Sequence, residues 1–331
     1  MSTRTEPSVC VIVAAKDAAA TIARAVNSAL NQIETAEVIV VDDASTDDTF
    51  RVAKMCDDGS GRLRVVRFEL NRGPSSARNF AISISTSPVI SILDADDFFL
   101  PGRLSNLLQH PEWDMIADNI AFVSNVSLQD GFAELIPKFP NEPRTMDLVE
   151  FVKGNISTRR AKRAEIGFLK PLIRRSLLAR HSVRYDETLR LGEDYDLYTR
   201  LLLHGAVYMV TRNCGYVAVV RNESLSGQHR TSDLERLHQA TKKIVQKSDF
   251  TSKDVYAILK QHSEHIRFRY ELRRFLDVKT SSGYRGAIFH LIKNPKAVPA
   301  VVHGITIDKT EKLSARRTLT PANAEKIRFL I

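Results

Sequence analysis

The chain has 331 residues, 43% hydrophobic and 26% charged, with a formal net charge of +9. That composition excludes a disordered chain. Its three cysteines, Cys10, Cys56 and Cys214, lie too far apart for a disulfide framework or a zinc signature. The charge is unevenly spread. Residues 1–150 hold 13 Lys+Arg and 22 Asp+Glu, a net of −9, whereas residues 151–331 hold 35 and 17, a net of +18. Such asymmetry points to an anionic contact for the second half: nucleic acid, a membrane face or a phosphorylated substrate. A merely solvated basic surface is the alternative. No stretch reaches the roughly 18 apolar residues of a spanning helix. The polar N-terminus, Met1 to Pro7, has no apolar signal core, so a cytoplasmic setting is expected.

In chain order, residues 9–14 form a short β-branched run that reads as a buried strand. Residues 18–32 place Ile22, Val26, Ala29 and Leu30 on one helical face. Residues 38–41 predict a second strand, and Ser45 to Asp48 resembles a helix start. Residues 63–68 predict a third strand. Pro74 opens a helix through Ala77 to Ile84, and residues 89–93 predict a fourth strand that ends at Asp94. Strands apolar on both faces, alternating with helices, predict a parallel sheet covered by helices. Residues 126–170, with Pro137, Pro140, Pro143 and the basic run from Arg159 to Arg163, read as an irregular connection. A helical pattern returns at about 186–205, stopped by Gly205. Residues 232–276 are helical and highly charged, with Leu234, Leu237, Ile244, Val245, Ile258 and Leu259 as candidate core positions. Residues 286–305 are apolar but broken by Pro295 and Pro299.

Ligands of open α/β sheets bind beyond the carboxyl ends of the strands. Acids gather there in this chain: Asp42 and Asp43 close the second strand, and Asp94-Ala95-Asp96-Asp97 follows the fourth. Clustered carboxylates repel one another unless a cation is bound. A tight acidic loop suits Mg2+ or Mn2+ bridging the protein to a diphosphate. Helix capping is the competing reading; it is preferred for Asp47 and Asp48 but not for Asp94 and Asp96.

VCVIVAAKDAAATIARAVNSALNQ, VIVVDDAST, NRGPSSARNFAI, ISILDADDFFLPGRL and LRLGEDYDLYTRLL follow one another in an order and spacing that resemble the family 2 glycosyltransferases of GT-A fold. The resemblance covers roughly residues 8–230. Bacterial exopolysaccharide glucosyltransferases of the succinoglycan-assembly type look similar and share a GFLKPLIRR-like segment. It implies a GT-A catalytic domain at 1–230, with a nucleotide-sugar half at about 8–125 and an acceptor half at about 126–230. Residues 231–331 would form a basic helical appendage. The implied activity is inverting, metal-dependent transfer of a hexose, glucose by analogy, from a UDP-sugar to a saccharide acceptor.

Residue by residue, the resemblance places Asp43 at the uracil ring, Asp42 beside it and Arg78 near the nucleotide. Asp94 and Asp96 match the metal-binding DXD pair, with Asp96 favoured as the direct ligand. Asp194 matches the catalytic base and Glu193 supports it. Arg221, and more loosely His229, fall where a loop covers the diphosphate. Lys16 stands where the family often has an aromatic residue, which leaves contact with a phosphate or plain solvation as its options. The processive-synthase signature Gln-x-x-Arg-Trp is absent, which implies one sugar per acceptor. The implied acceptor is carried on a lipid diphosphate such as undecaprenyl diphosphate. The basic region, residues 286–305 included, is expected on the anionic inner face of the cell membrane, with packing of that stretch into the protein as the alternative. A nucleotidyltransferase with a similar sheet lacks its glycine-rich loop here. A non-catalytic nucleic-acid-binding protein lacks a recognisable motif in residues 151–331, so no nucleic acid is expected.

Overall fold

The computed structural model describes residues 9–124, 132–157, 165–220, 230–247, 252–304, 306 and 327–331. The chain divides into two compact units, Met1–Asn222 with Glu325–Ile331, and Glu223–Ala324. The first unit opens with β1 (Val9–Ala15), α1 (Ile22–Leu30), β2 (Thr35–Asp42), α2 (Thr49–Lys54), β3 (Leu63–Arg67), α3 (Pro74–Ile84) and β4 (Val89–Ile92). These strands pair in parallel in the order β3-β2-β1-β4. Each βα crossover buries one face of its helix, and α1 packs with Ile22, Val26, Ala29 and Leu30 inside, as its 3.6-residue periodicity predicts.

Past β4 the sheet becomes mixed. The elements are β5 (Phe98–Phe99), α4 (Arg103–Leu108), β6 (Met115–Ser124), β7 (Arg144–Thr145), α5 (Leu148–Lys153), β8 (Leu172–Arg174), α6 (Arg175–His181), α7 (Glu193–Leu203) and β9 (Tyr208–Val220). Strand β8 inserts antiparallel between β4 and β6, and β6 runs parallel to β9. The main path reads β3-β2-β1-β4-β8-β6-β9-β5, and off this path β7 pairs antiparallel with β9. The chain's last strand, β10 (Arg328–Phe329), returns to pair with β6. The proline-rich connection contains β7 and α5.

Helix α7 starts at Glu193, later than the 186–205 pattern suggests. Asp186 closes a turn by accepting from the N–H and hydroxyl of Thr188. Gly192 precedes the helix at φ 71, a left-handed conformation that favours glycine. The second unit holds α8 (Thr231–Lys247) and α9 (Lys253–Lys293), and residues 298–304 are also helical. Leu234, Leu237, Ile244 and Leu259 are buried there, while Val245 and Ile258 are half-buried. Gly283, at φ 66 and ψ −173, breaks α9 into two helical pieces.

Candidate active site

The acidic loop lies just past the carboxyl end of β4. The Asp97 N–H donates to the Asp94 carbonyl at 3.1 Å, closing the turn. The Asp94 N–H donates to the Tyr216 hydroxyl at 3.2 Å, and that hydroxyl donates to Asp97 Oδ2 at 2.8 Å. The Val219 N–H holds the other Asp97 oxygen at 2.9 Å. Burial first, then the charges of Asp94 and Asp96, push the Asp97 carboxyl well above the usual carboxylate range.

Arg78 and Lys170 both reach Asp94 and join it to the start of α7. Arg78 in α3 is buried and forks between Asp94 and α7. Its Nη2 donates to Asp94 Oδ1 at 2.9 Å, and its Nη1 donates to Glu193 Oε1 at 2.8 Å and to Asp194 Oδ1 at 3.4 Å. Lys170, just before β8, places its Nζ 3.0 Å from Asp94 Oδ2 and 2.7 Å from Asp194 Oδ2. The Tyr185 hydroxyl donates to Asp194 Oδ1 at 3.1 Å. Two buried cations therefore hold three carboxylates. Burial alone would raise the Asp94 carboxyl, but Lys170 and then Arg78 outweigh it and bring it down to about 2. The same pairing overcomes desolvation at both cations and raises Arg78 and Lys170 above their ordinary values. A buried lysine would otherwise lose its proton more easily.

Asp194 sits in the first turn of α7, where an acid can serve as a helix cap. Its oxygens instead accept from the side chains of Lys170, Tyr185 and Arg78. Lys170 is itself braced from below. Arg103, fully buried at the start of α4, donates to the Lys170 carbonyl at 2.6 Å and grips Asp118 at 2.8 to 3.1 Å. A Cβ at Gly215 would collide with both Asp118 and Arg103, so only glycine lets β9 pass so close to this ion pair.

The other sequence candidates are engaged elsewhere. Asp42 is buried, accepts from the Ser45 N–H at 2.9 Å and faces Arg67 at 3.4 Å. Asp43 accepts the Arg72 and Gly73 N–H groups at 2.6 and 2.8 Å, which fixes the loop that leads into α3. Asp96 is half-buried, and its carbonyl accepts from Arg24 at 3.1 Å. Lys16 is half-buried rather than merely solvated; it donates to the Ala44 carbonyl at 3.0 Å and pairs with Asp17 at 3.1 Å. Arg221 and His229 lie outside the described residues. Sequence reasoning missed Lys170, Tyr185 and Arg103. The signal for Lys170 was present: a lysine inside the apolar run Phe168-Leu169-Lys170-Pro171-Leu172-Ile173 is a candidate buried charge.

The loop's donor set is all oxygen, which suits a hard divalent cation. Among the described residues no group of three or more His, Cys, Asp or Glu forms a cage. Such an ion would therefore complete its shell with substrate phosphate and water.

Comparison with known proteins agrees with this architecture. Residues 10–178 match the family model described as Glycosyl transferase family 2. The chain is 56% identical over 304 residues to the succinoglycan biosynthesis protein ExoU of Rhizobium meliloti (strain 1021), which covers 92% of this chain and 88% of that protein. Among solved structures, S. aureus TarS 1-349 in complex with UDP-GlcNAc superposes with a TM-score of 0.58 at 21% identity, covering 88% of this chain and 79% of the other. The mannosyltransferase PcManGT from Pyrobaculum calidifontis, in complex with GDP-Man and Mn2+, gives 0.55 at 20% identity, covering 92% and 81%. With a parallel first half of the sheet, an acidic loop at the end of its fourth strand and these similarities, the chain has the GT-A fold and belongs to glycosyl transferase family 2.

Proposed function

We propose that this protein is an inverting hexosyltransferase that moves a sugar from a UDP-sugar to a saccharide acceptor during exopolysaccharide assembly in the cytoplasm. The observation that carries the reading is the bridging of Asp94 and Asp194 by Arg78 and Lys170. It ties an acidic loop suited to the donor diphosphate to a carboxylate suited to the acceptor. Asp96, with Asp94, would hold Mn2+ or Mg2+. The ion, when bound, supplies positive charge to the departing diphosphate.

The protein's own groups account for the rest. Asp194 accepts the proton of the acceptor hydroxyl. That oxygen forms its bond to the anomeric carbon as the carbon–oxygen bond to UDP breaks, so an α-linked donor gives a β-linked product. Arg78 and Lys170 keep Asp94 ionised and hold both Asp94 and Asp194 in place before substrate arrives, so little reorganisation is left for the reaction itself. Tyr185 orients Asp194 through its hydroxyl. Asp43 shapes the loop of Arg72 and Gly73 on the uridine side, and Asp42 braces the strand end beside it. The acceptor is a saccharide on a lipid diphosphate, and glucose is the favoured donor sugar.

UDP release, measured across a panel of UDP-sugars with and without Mn2+, tests the reading. Release that needs both the metal and a saccharide acceptor, and that disappears with Asp194→Asn, is expected. Turnover unaffected by chelation would remove the metal assignment, and undiminished transfer by the variant would move the base elsewhere.

A further inference from the structure

We infer that the second unit docks on an anionic lipid surface through the face formed by Tyr284, Ile288, Phe289 and Ile292. The inference goes beyond the proposed reaction and does not depend on it.

The residues directly after the Gly283 break decide the matter. Residues 284, 288 and 292 recur every four positions and share one helical face, with Phe289 beside it. Tyr284 is 70% exposed, Ile288 58%, Phe289 56% and Ile292 70%. The adjoining face is satisfied: Ala287 is buried with Phe275 and Val301, and Leu291 packs against them. The expectation that this apolar stretch packs inside the protein thus holds for one side only. The other side leaves four large apolar side chains together in water, a patch that soluble surfaces rarely keep without use.

The charge around the patch identifies its occupant. From Val278 to Ile307 the sequence contains no aspartate or glutamate, yet it carries Lys279, Arg285, Lys293 and Lys296. Lys279 lies over the Tyr284 ring at 4.5 Å, and Lys293 over the Phe289 ring at 4.4 Å. Two of the cations thus sit against the aromatic rings of the apolar face itself. A second copy of the chain would bring like charges together across this face. Phosphates alone would give the isoleucines nothing. An anionic bilayer offers hydrocarbon to Ile288 and Ile292 and phosphate to the lysines at once. Among the described residues no helix is long and apolar enough to cross a membrane, so the contact is interfacial.

Co-sedimentation of the full chain with vesicles tests the inference. Binding to phosphatidylglycerol–phosphatidylcholine vesicles but not to pure phosphatidylcholine, weakening as salt rises, is expected. The combined variant Ile288→Ser, Phe289→Ser, Ile292→Ser should abolish sedimentation while its thermal midpoint and its UDP release from a UDP-sugar stay unchanged. Lys279→Gln with Lys293→Gln should weaken binding without abolishing it. Three results would overturn the inference: wild-type protein left in the supernatant with anionic vesicles at low salt, undiminished binding by the apolar variant, or a solution dimer that this variant dissolves.

Discussion

The two units use positive charge in opposite ways. In the first, Arg78, Arg103 and Lys170 are almost fully buried, and each is held by one or more carboxylates. In the second, Arg285, Lys293 and Lys296 are exposed on a stretch without a single acid. Buried charges have no water to fall back on, so each depends on its partners and geometry decides everything. Exposed charges contribute weakly and separately. A single substitution should therefore be severe and non-additive in the first unit, and mild and additive in the second.

The largest effect expected is on turnover. Asp194→Asn keeps the shape of the side chain but removes its basicity. Transfer should fall roughly 10²- to 10⁴-fold, the usual worth of a general base, while UDP binding measured by calorimetry changes little. A fall in donor affinity matching the fall in rate would mean that Asp194 serves the donor instead.

Next comes the brace below the site. Asp118→Ala would leave Arg103 buried and without its carboxylate, at a cost of about 3–5 kcal/mol in urea unfolding. Exchanging both partners for apolar residues, Arg103→Met with Asp118→Leu, should recover much of that loss. Transfer should not recover with it, because the Lys170 carbonyl would still lack its donor. Recovery of both would reduce the brace to ordinary packing.

These residues also show what the sequence carried and what it did not. The α1 face and the four parallel strands were legible because their signals are local: a 3.6-residue period and short β-branched runs. Asp94, Arg78 and Asp194 each stand in one short motif, and the structure brings their side chains together. Lys170 left only the local hint of a lysine in an apolar run, because its partners depend on positions 94, 170 and 194 meeting in space. That meeting is arranged by β8, three residues inserted antiparallel between β4 and β6. Three residues are too few for any period to register, and non-local pairing leaves no local mark. Asp43 shows the converse. Its position beside the second strand was read correctly, but its partners, the Arg72 and Gly73 N–H groups, belong to a loop thirty residues on.

A smaller effect should appear in acid. Asp94 is held at about 2 against an ordinary value of 3.8, with Lys170 the larger of the two cationic influences. Because the folded state lowers this carboxyl, its contribution to stability is present above 3.8 and is lost as pH falls from there through about 2. In Lys170→Met the folded value should rise, so this contribution should be smaller and should vanish at higher pH. Acid unfolding followed by circular dichroism should begin at higher pH in the variant than in the wild type. Coincident profiles would mean that Arg78 alone holds Asp94.

The smallest effect belongs to the second unit, and it tests the comparison most directly. Lys293→Gln removes one exposed cation beside Phe289 and breaks no ion pair among the described residues. Folding stability should be unchanged within measurement. Partitioning onto anionic vesicles should weaken roughly fivefold, the worth of one lysine near such a surface. Adding Lys279→Gln should multiply the two losses, since separate screened charges act independently. The same cycle applied to Arg103 and Asp118 should show strong coupling instead. A large coupling between Lys279 and Lys293 would mean that the two lysines form one built site, and the contrast between the two units would have to be redrawn.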